Sequence, residues 1–295
     1  MSLLRLVFRL LLGRRLPRTD GRLAIPGLFG TVRIGRDGYG IALLEADDPR
    51  DGPFALGFCH AQDRLFQMEL MLRVARGTLA ELVGPAAVPV DRIARRIGFH
   101  RSAAEQWDVL DADVRERIEH YSRGAQAGAL YGLTALPHEF ALLKARPTPW
   151  TPLDTLGVTK LLSFTLAANW DAELVRLKVL TADGPDAVRA VDSTYPAWGP
   201  ADTAGAGRTV DRLADDLAAF LRWVRPGGAS NNWVLDATRT ATGRPLLAND
   251  PHLDARLPLP WYLASLRTPA EAVAGATFVG GPVWLAGHNG HAAWG

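Results

Sequence analysis

Ser230 heads the stretch Ser-Asn-Asn-Trp-Val-Leu, directly behind Gly227-Gly228-Ala229. A serine hydroxyl is a weak nucleophile until a base takes its proton. One available base is the serine's own α-amine, which titrates near about 7.7–8 once it is free. An internal serine gains that amine only when the peptide bond before it breaks. Its hydroxyl can make the cut itself, by attacking the preceding carbonyl to form an ester that water opens. Small residues before the serine permit the geometry. Gly227, Gly228 and Ala229 would then be a hinge, Ala229–Ser230 the cleaved bond, and the upstream stretch a disposable spacer. The same residues also suit an ordinary loop entering a strand, and local sequence alone favours that plainer alternative.

Other chemistries find less support. No serine lies in a G-x-S-x-G elbow, which argues against an α/β-hydrolase. A Walker A loop, a G-x-G-x-x-G after a strand and an H-E-x-x-H are all missing. His288 and His291, spaced i, i+3 in a loop, suit a turn better than a metal. Net charge is +2, which does not suggest nucleic acid. Cys59 is the only cysteine, so no intrachain disulfide can form.

The elements that must position Ser230 follow from periodicity. The 295 residues are 48% hydrophobic, enough for one large core or two modest ones. Residues 1–20 read as a basic helix: Leu4, Val7, Phe8 and Leu11 share a face, and Arg5 and Arg9 interrupt any signal-peptide core. Residues 3–15 could lie weakly on a membrane surface or dock as an ordinary helix. Residues 21–182 read as mostly helical after a hairpin about Asp37-Gly38. The spacing of Leu65, Met68, Leu72 and Ala75 predicts a helix from Ala61, ending near Gly77. Thr78 with Glu81, and Ser102 with Glu105, form possible capping boxes. A second helix is expected from Ser102 and a third from about Asp154. Residues 183–229 read as a linker or spacer, with one amphipathic patch. From 230 to 295 the pattern is strand-like. The overall expectation is an α+β fold.

Several separated segments then resemble one family. "HAQDRLFQMEL", "RPTPWTPLDTL", "NWDAEL", "SNNWVL", "GRPLLANDPHL" and "GHNGHAAWG" occur in the order found in penicillin acylases (penicillin amidases), which are N-terminal-nucleophile (Ntn) hydrolases. The resemblance implies a four-layer αββα sandwich with a large helical N-terminal part, incomplete here at its C-terminus. It implies hydrolysis of a small-molecule N-acyl amide by a two-chain α/β heterodimer formed on self-cleavage. One alternative is an acyl-homoserine lactone acylase; another is an inactive remnant that only binds.

Residue by residue, the resemblance implies that Ser230 is the nucleophile, cut from Ala229, with Asn231 just behind it. His252, 22 positions after Ser230, would position the nucleophile or serve the oxyanion hole. Phe164 and Trp170 would line the acyl pocket. Catalysis needs no cofactor. Glu173 would offer a carboxylate to a structural calcium, most of whose ligands would lie beyond residue 295. Asn249 and Asp250 are expected to shape the turn before His252, and Asp63 and Arg64 to make structural contacts. Family resemblance suggests the periplasm; the N-terminus, lacking a clear signal peptide, leaves cytoplasmic and membrane-associated locations open.

Overall fold

The computed structural model describes residues 13, 15–167, 170–192, 207–223, 230–253 and 257–295. The expected helix over 1–20 falls mostly outside them. Its described end, 15–20, is not helical, and Pro17 bridges to Leu133 instead.

Strands β1 (Val32–Arg36) and β2 (Ala42–Ala46) form the expected hairpin. The Asp37 carboxylate holds its turn by accepting from the N–H groups of Tyr39 and Ile41, both at 2.9 Å. β3 (Ser230–Leu235) and β4 (Leu246–Pro251) pair as a separate two-stranded ribbon. β5 (Trp261–Arg267), β6 (Ala272–Phe278), β7 (Trp284–His288) and β8 (Ala293–Trp294) complete a six-stranded sheet in the order β1-β2-β5-β6-β7-β8. β2 runs parallel to β5, so the two ends of the sequence share one sheet.

Alternation fixes which sheet face is inward. Ala42, Leu44, Tyr262, Ala264 and Leu266 are buried, while Leu43 and Leu263 are exposed. The buried set joins one core cluster with Phe54, Leu56, Met68 and Leu72 of α1 (Asp51–Arg76). Each large side chain buried there contributes about 1.5–3 kcal/mol.

α1 starts ten residues before the expected Ala61, although Gly52, Pro53 and Gly57 are poor helix formers. Tertiary contact overrides propensity: every residue from 51 to 62 is buried. The partner is α5 (Ala112–Tyr131). A Cβ on Gly57 would lie 2.2 Å from the Tyr121 carbonyl oxygen, and one on Gly124 would lie 2.0 Å from that of Phe54. The two backbones touch where only glycine fits. α1 ends as expected at Gly77, whose left-handed φ of 68° closes the cap.

The expected capping boxes fare unevenly. Thr78–Glu81 does not cap α2 (Ala80–Val83). Instead the Asp91 carboxylate of α3 (Val88–Ile97) accepts from the N–H groups of Leu79 at 2.7 Å and Ala80 at 3.0 Å. Ser102 lies inside α4 (Phe99–Val109), so the single helix expected from Ser102 is really α4 and α5, broken at extended Leu110. After the short α6 (His138–Leu142), a Thr151–Asp154 box does start α7 (Pro152–Leu166). The third helix is likewise divided: α7 closes at Ala167 and α8 (Trp170–Val191) follows.

Apart from Asp192, the described residues within 183–229, the stretch expected as a linker or spacer, are helical. α8 runs on to Val191 through a kink at Gly184-Pro185, and α9 occupies Gly207–Trp223. The physical reason is the amphipathic stripe Val210, Leu217 and Phe220, which is buried against the helical layer.

Candidate active site

Strand register, rather than sequence proximity, assembles the candidate site. Ser230 is the first residue of β3 and pairs with Pro251; Asn231 pairs with Asp250. His252 therefore emerges just beyond the residue opposite Ser230. Its Nε2 lies 3.0 Å from Asp250 Oδ2. The register thus gathers Ser230, Asn231, Asp250 and His252 at one open end of the ribbon. All four are exposed or partly exposed. Asp250, read from sequence as a turn-former, is the carboxylate that orients the His252 ring; the Asp-Pro-His spacing was the available signal. Ala229, and with it the Ala229–Ser230 bond, lies outside the described residues.

Phe164 and Trp170 belong to a different cluster. Their rings stack at 6.3 Å. Phe164 also meets Phe99 edge-on at 5.6 Å and Phe220 of α9 at 6.0 Å. Phe220 is fully buried, so this cluster is filled by the chain's own aromatic ring.

Glu173 is engaged on the helix surface. Its Oε1 accepts from Arg176 Nη1 at 2.5 Å, while Arg176 also donates to Asp192. Among the described residues, no three His, Cys, Asp or Glu side chains come together as a metal site. His288 ends β7, and the turn after it is held by Asn289, whose side chain accepts from the N–H groups of His291 and Ala292.

Between α1, α5 and the six-stranded sheet lies a buried polar chain that sequence reasoning did not find. Thr277 Oγ1 donates to the Tyr262 carbonyl at 3.1 Å, so it accepts from His60 Nε2 at 3.0 Å. His60 Nδ1 is then the acceptor for the Tyr121 hydroxyl at 2.8 Å, and Tyr121 Oη accepts from Gly280 N–H at 3.0 Å. These bonds set one tautomer and leave no group in the chain unpaired. Burial holds His60 down to about 3, with the Arg64 charge adding to the effect, and raises the Tyr121 hydroxyl. Burial also pushes the Cys59 thiol up to about 12, which makes it unreactive. Asp63 bridges Arg36 at 2.8 Å and the Tyr262 hydroxyl at 2.7 Å, the structural contact expected of it. Arg64 likewise reaches the Leu259 carbonyl.

Comparison with known proteins identifies the family. The penicillin amidase family model matches residues 31–295. The chain is 35% identical over 291 residues to acyl-homoserine lactone acylase QuiP of Pseudomonas aeruginosa, covering 95% of this chain and 34% of that one. It is 38% identical over 257 residues to penicillin acylase 2 proenzyme of Pseudomonas sp. strain SE83, covering 82% and 33%. Among solved structures, thermostable penicillin G acylase from Alcaligenes faecalis matches with 28% identity and a TM-score of 0.44, covering 59% of this chain and 99% of that one. The chain spans about a third of the length of the curated relatives it matches. A family match over residues 31–295 means that this chain belongs to the penicillin amidase family.

Proposed function

We propose that the protein hydrolyses N-acyl amides, with Ser230 as an N-terminal nucleophile. The supporting observation is the ribbon register, which sets Ser230 opposite Pro251 and beside the Asp250–His252 pair, within a chain of this family. In this reading the Ser230 hydroxyl first attacks the Ala229 carbonyl, the Ala229–Ser230 C–N bond breaks to free the α-amine as an ester forms, and water hydrolyses that ester to give the Ala229 carboxylate and the free hydroxyl. That amine then takes the hydroxyl proton as Ser230 attacks the substrate carbonyl. The proton passes to the departing amine, an acyl-serine forms, and water resolves it to the acid. His252, held by Asp250, positions the nucleophile.

The four-layer αββα sandwich and the two-chain product belong to the same proposal. The outer sheet face carries exposed Leu43 and Leu263, the kind of surface a second sheet would cover. A second substrate reading, hydrolysis of acyl-homoserine lactones, is favoured by the similarity to QuiP over 95% of this chain.

N-terminal sequencing of the purified protein tests the proposal. A new terminus reading Ser-Asn-Asn-Trp is expected, and Ser230→Ala should keep a single uncut chain. Amide hydrolysis by material that never shows this terminus would overturn it. An uncut chain that forms no adduct with a serine-reactive sulfonyl fluoride would instead support a binding-only remnant.

A further inference from the structure

Two turns lie at one end of the six-stranded sheet, 268–271 between β5 and β6 and 289–292 between β7 and β8. A cavity of about 550 Å³ is lined by both turns and by Trp284 and Trp294. That volume falls within the roughly 300–1,000 Å³ of small-molecule sites. Its walls are preformed. Thr268 N–H donates to the Glu271 carbonyl at 2.8 Å, and Thr268 Oγ1 accepts from Glu271 N–H at 3.1 Å. In the other turn, the Asn289 side chain holds His291 and Ala292. Trp294 Nε1 donates to the Trp284 carbonyl at 2.9 Å, which ties the two aromatic residues together. Val273, a buried member of the main core, also lines the cavity and anchors it.

Glu271 is the only acidic residue in the lining, and no lysine or arginine joins it there; His291 is the other titratable group. Among the described residues the Glu271 carboxylate accepts no hydrogen bond. Arg117 Nη1 stands 3.9 Å from it, beyond hydrogen-bond range, on a side chain that is 62% exposed. The cavity thus sets a carboxylate without a close counter-ion beside two indole rings. The carboxylate attracts a cation by its charge, and an indole face attracts one through its quadrupole. We propose that this cavity binds a small organic ammonium ion, with Glu271 balancing the charge and Trp284 and Trp294 packing against its alkyl groups. Ser230, Asn231 and His252 play no part in it.

Choline and its uncharged isostere 3,3-dimethylbutan-1-ol test the site by calorimetry on the full chain, at an ionic strength fixed with sodium chloride. Choline should bind about tenfold more tightly than the alcohol. E271Q keeps the backbone bonds of its turn; it should weaken choline about fivefold and leave the alcohol unchanged. Trp294→Leu should weaken both ligands. No detectable choline binding, equal binding of the two ligands, or choline binding that E271Q leaves intact overturns the inference. Preference for methyl glucoside over choline also overturns it and makes the cavity a saccharide site. Should Trp294→Leu not fold, E271Q decides alone, because the Glu271 side chain is 39% exposed and its replacement leaves the core untouched.

Discussion

The junction of α1, α5 and the sheet contrasts with the β3–β4 ribbon in almost every physical respect. At the junction, helix backbones touch through Gly57 and Gly124, and the buried polar atoms of His60, Tyr121 and Thr277 are bonded in sequence. Along the ribbon, Ser230 to Val234 are all exposed, and Trp233 and Val234 present apolar surface to solvent. The first region is held by packing and satisfied hydrogen bonds. The second is held within the described residues mainly by its own ladder. Stability and candidate chemistry therefore sit on different parts of the sequence, and each can be perturbed separately.

The largest expected effect falls on the junction and depends on pH. Folding keeps His60 neutral down to about 3, while the unfolded chain binds the proton near 6.5. Between those values unfolding takes up a proton. The contribution to stability is complete above pH 6.5 and is lost as pH falls toward 3. The slope approaches about 1.4 kcal/mol per pH unit, up to roughly 5 kcal/mol in all. Chemical denaturation between pH 7 and 4.5 reads it. His60→Gln should flatten the slope over that interval, and an unchanged slope would remove His60 from the account.

Gly124→Ala comes next. Its methyl would lie 2.0 Å from the Phe54 carbonyl oxygen, so two packed helices must part. A loss of about 3 kcal/mol is expected in denaturant titrations. Gly38→Ala, in the open hairpin turn where no atom lies within 4 Å of an added Cβ, is the control and should cost under about 1 kcal/mol. Equal losses would mean that close approach is not what fixes α1 against α5.

How much of this was legible in the sequence varied with how local the cause is. The residues after Ser230 read as strand-like, and the Asp37 turn and Gly77 cap carry their own signals. The pairing of Ser230 with Pro251 was not legible, because register is set by the whole ribbon and not by either strand alone. The first ten residues of α1 were not legible, because glycines that weaken a lone helix are what let this one touch α5. Asp91 capping α2 is a contact between elements, invisible to a short-range box pattern. Phe164 and Trp170, expected to line an acyl pocket, stack on one another, and Phe220 from a stretch expected to be linker packs against Phe164.

The smallest effect is expected on the ribbon, and it sharpens the contrast most. Trp233 is 49% exposed and sits in a strand whose first five residues are all exposed. Trp233→Ser removes a large apolar side chain that covers little of the core, so the change in unfolding free energy should stay within about 0.5 kcal/mol. The same substitution in the core, at buried Trp150, should cost several kcal/mol, because its ring is enclosed and its Nε1 donates to Thr155 Oγ1 at 3.0 Å. If Trp233→Ser proved as costly as Trp150→Ser, the ribbon would be part of the cooperative core. Ser230 would then be fixed by packing and not by strand register alone.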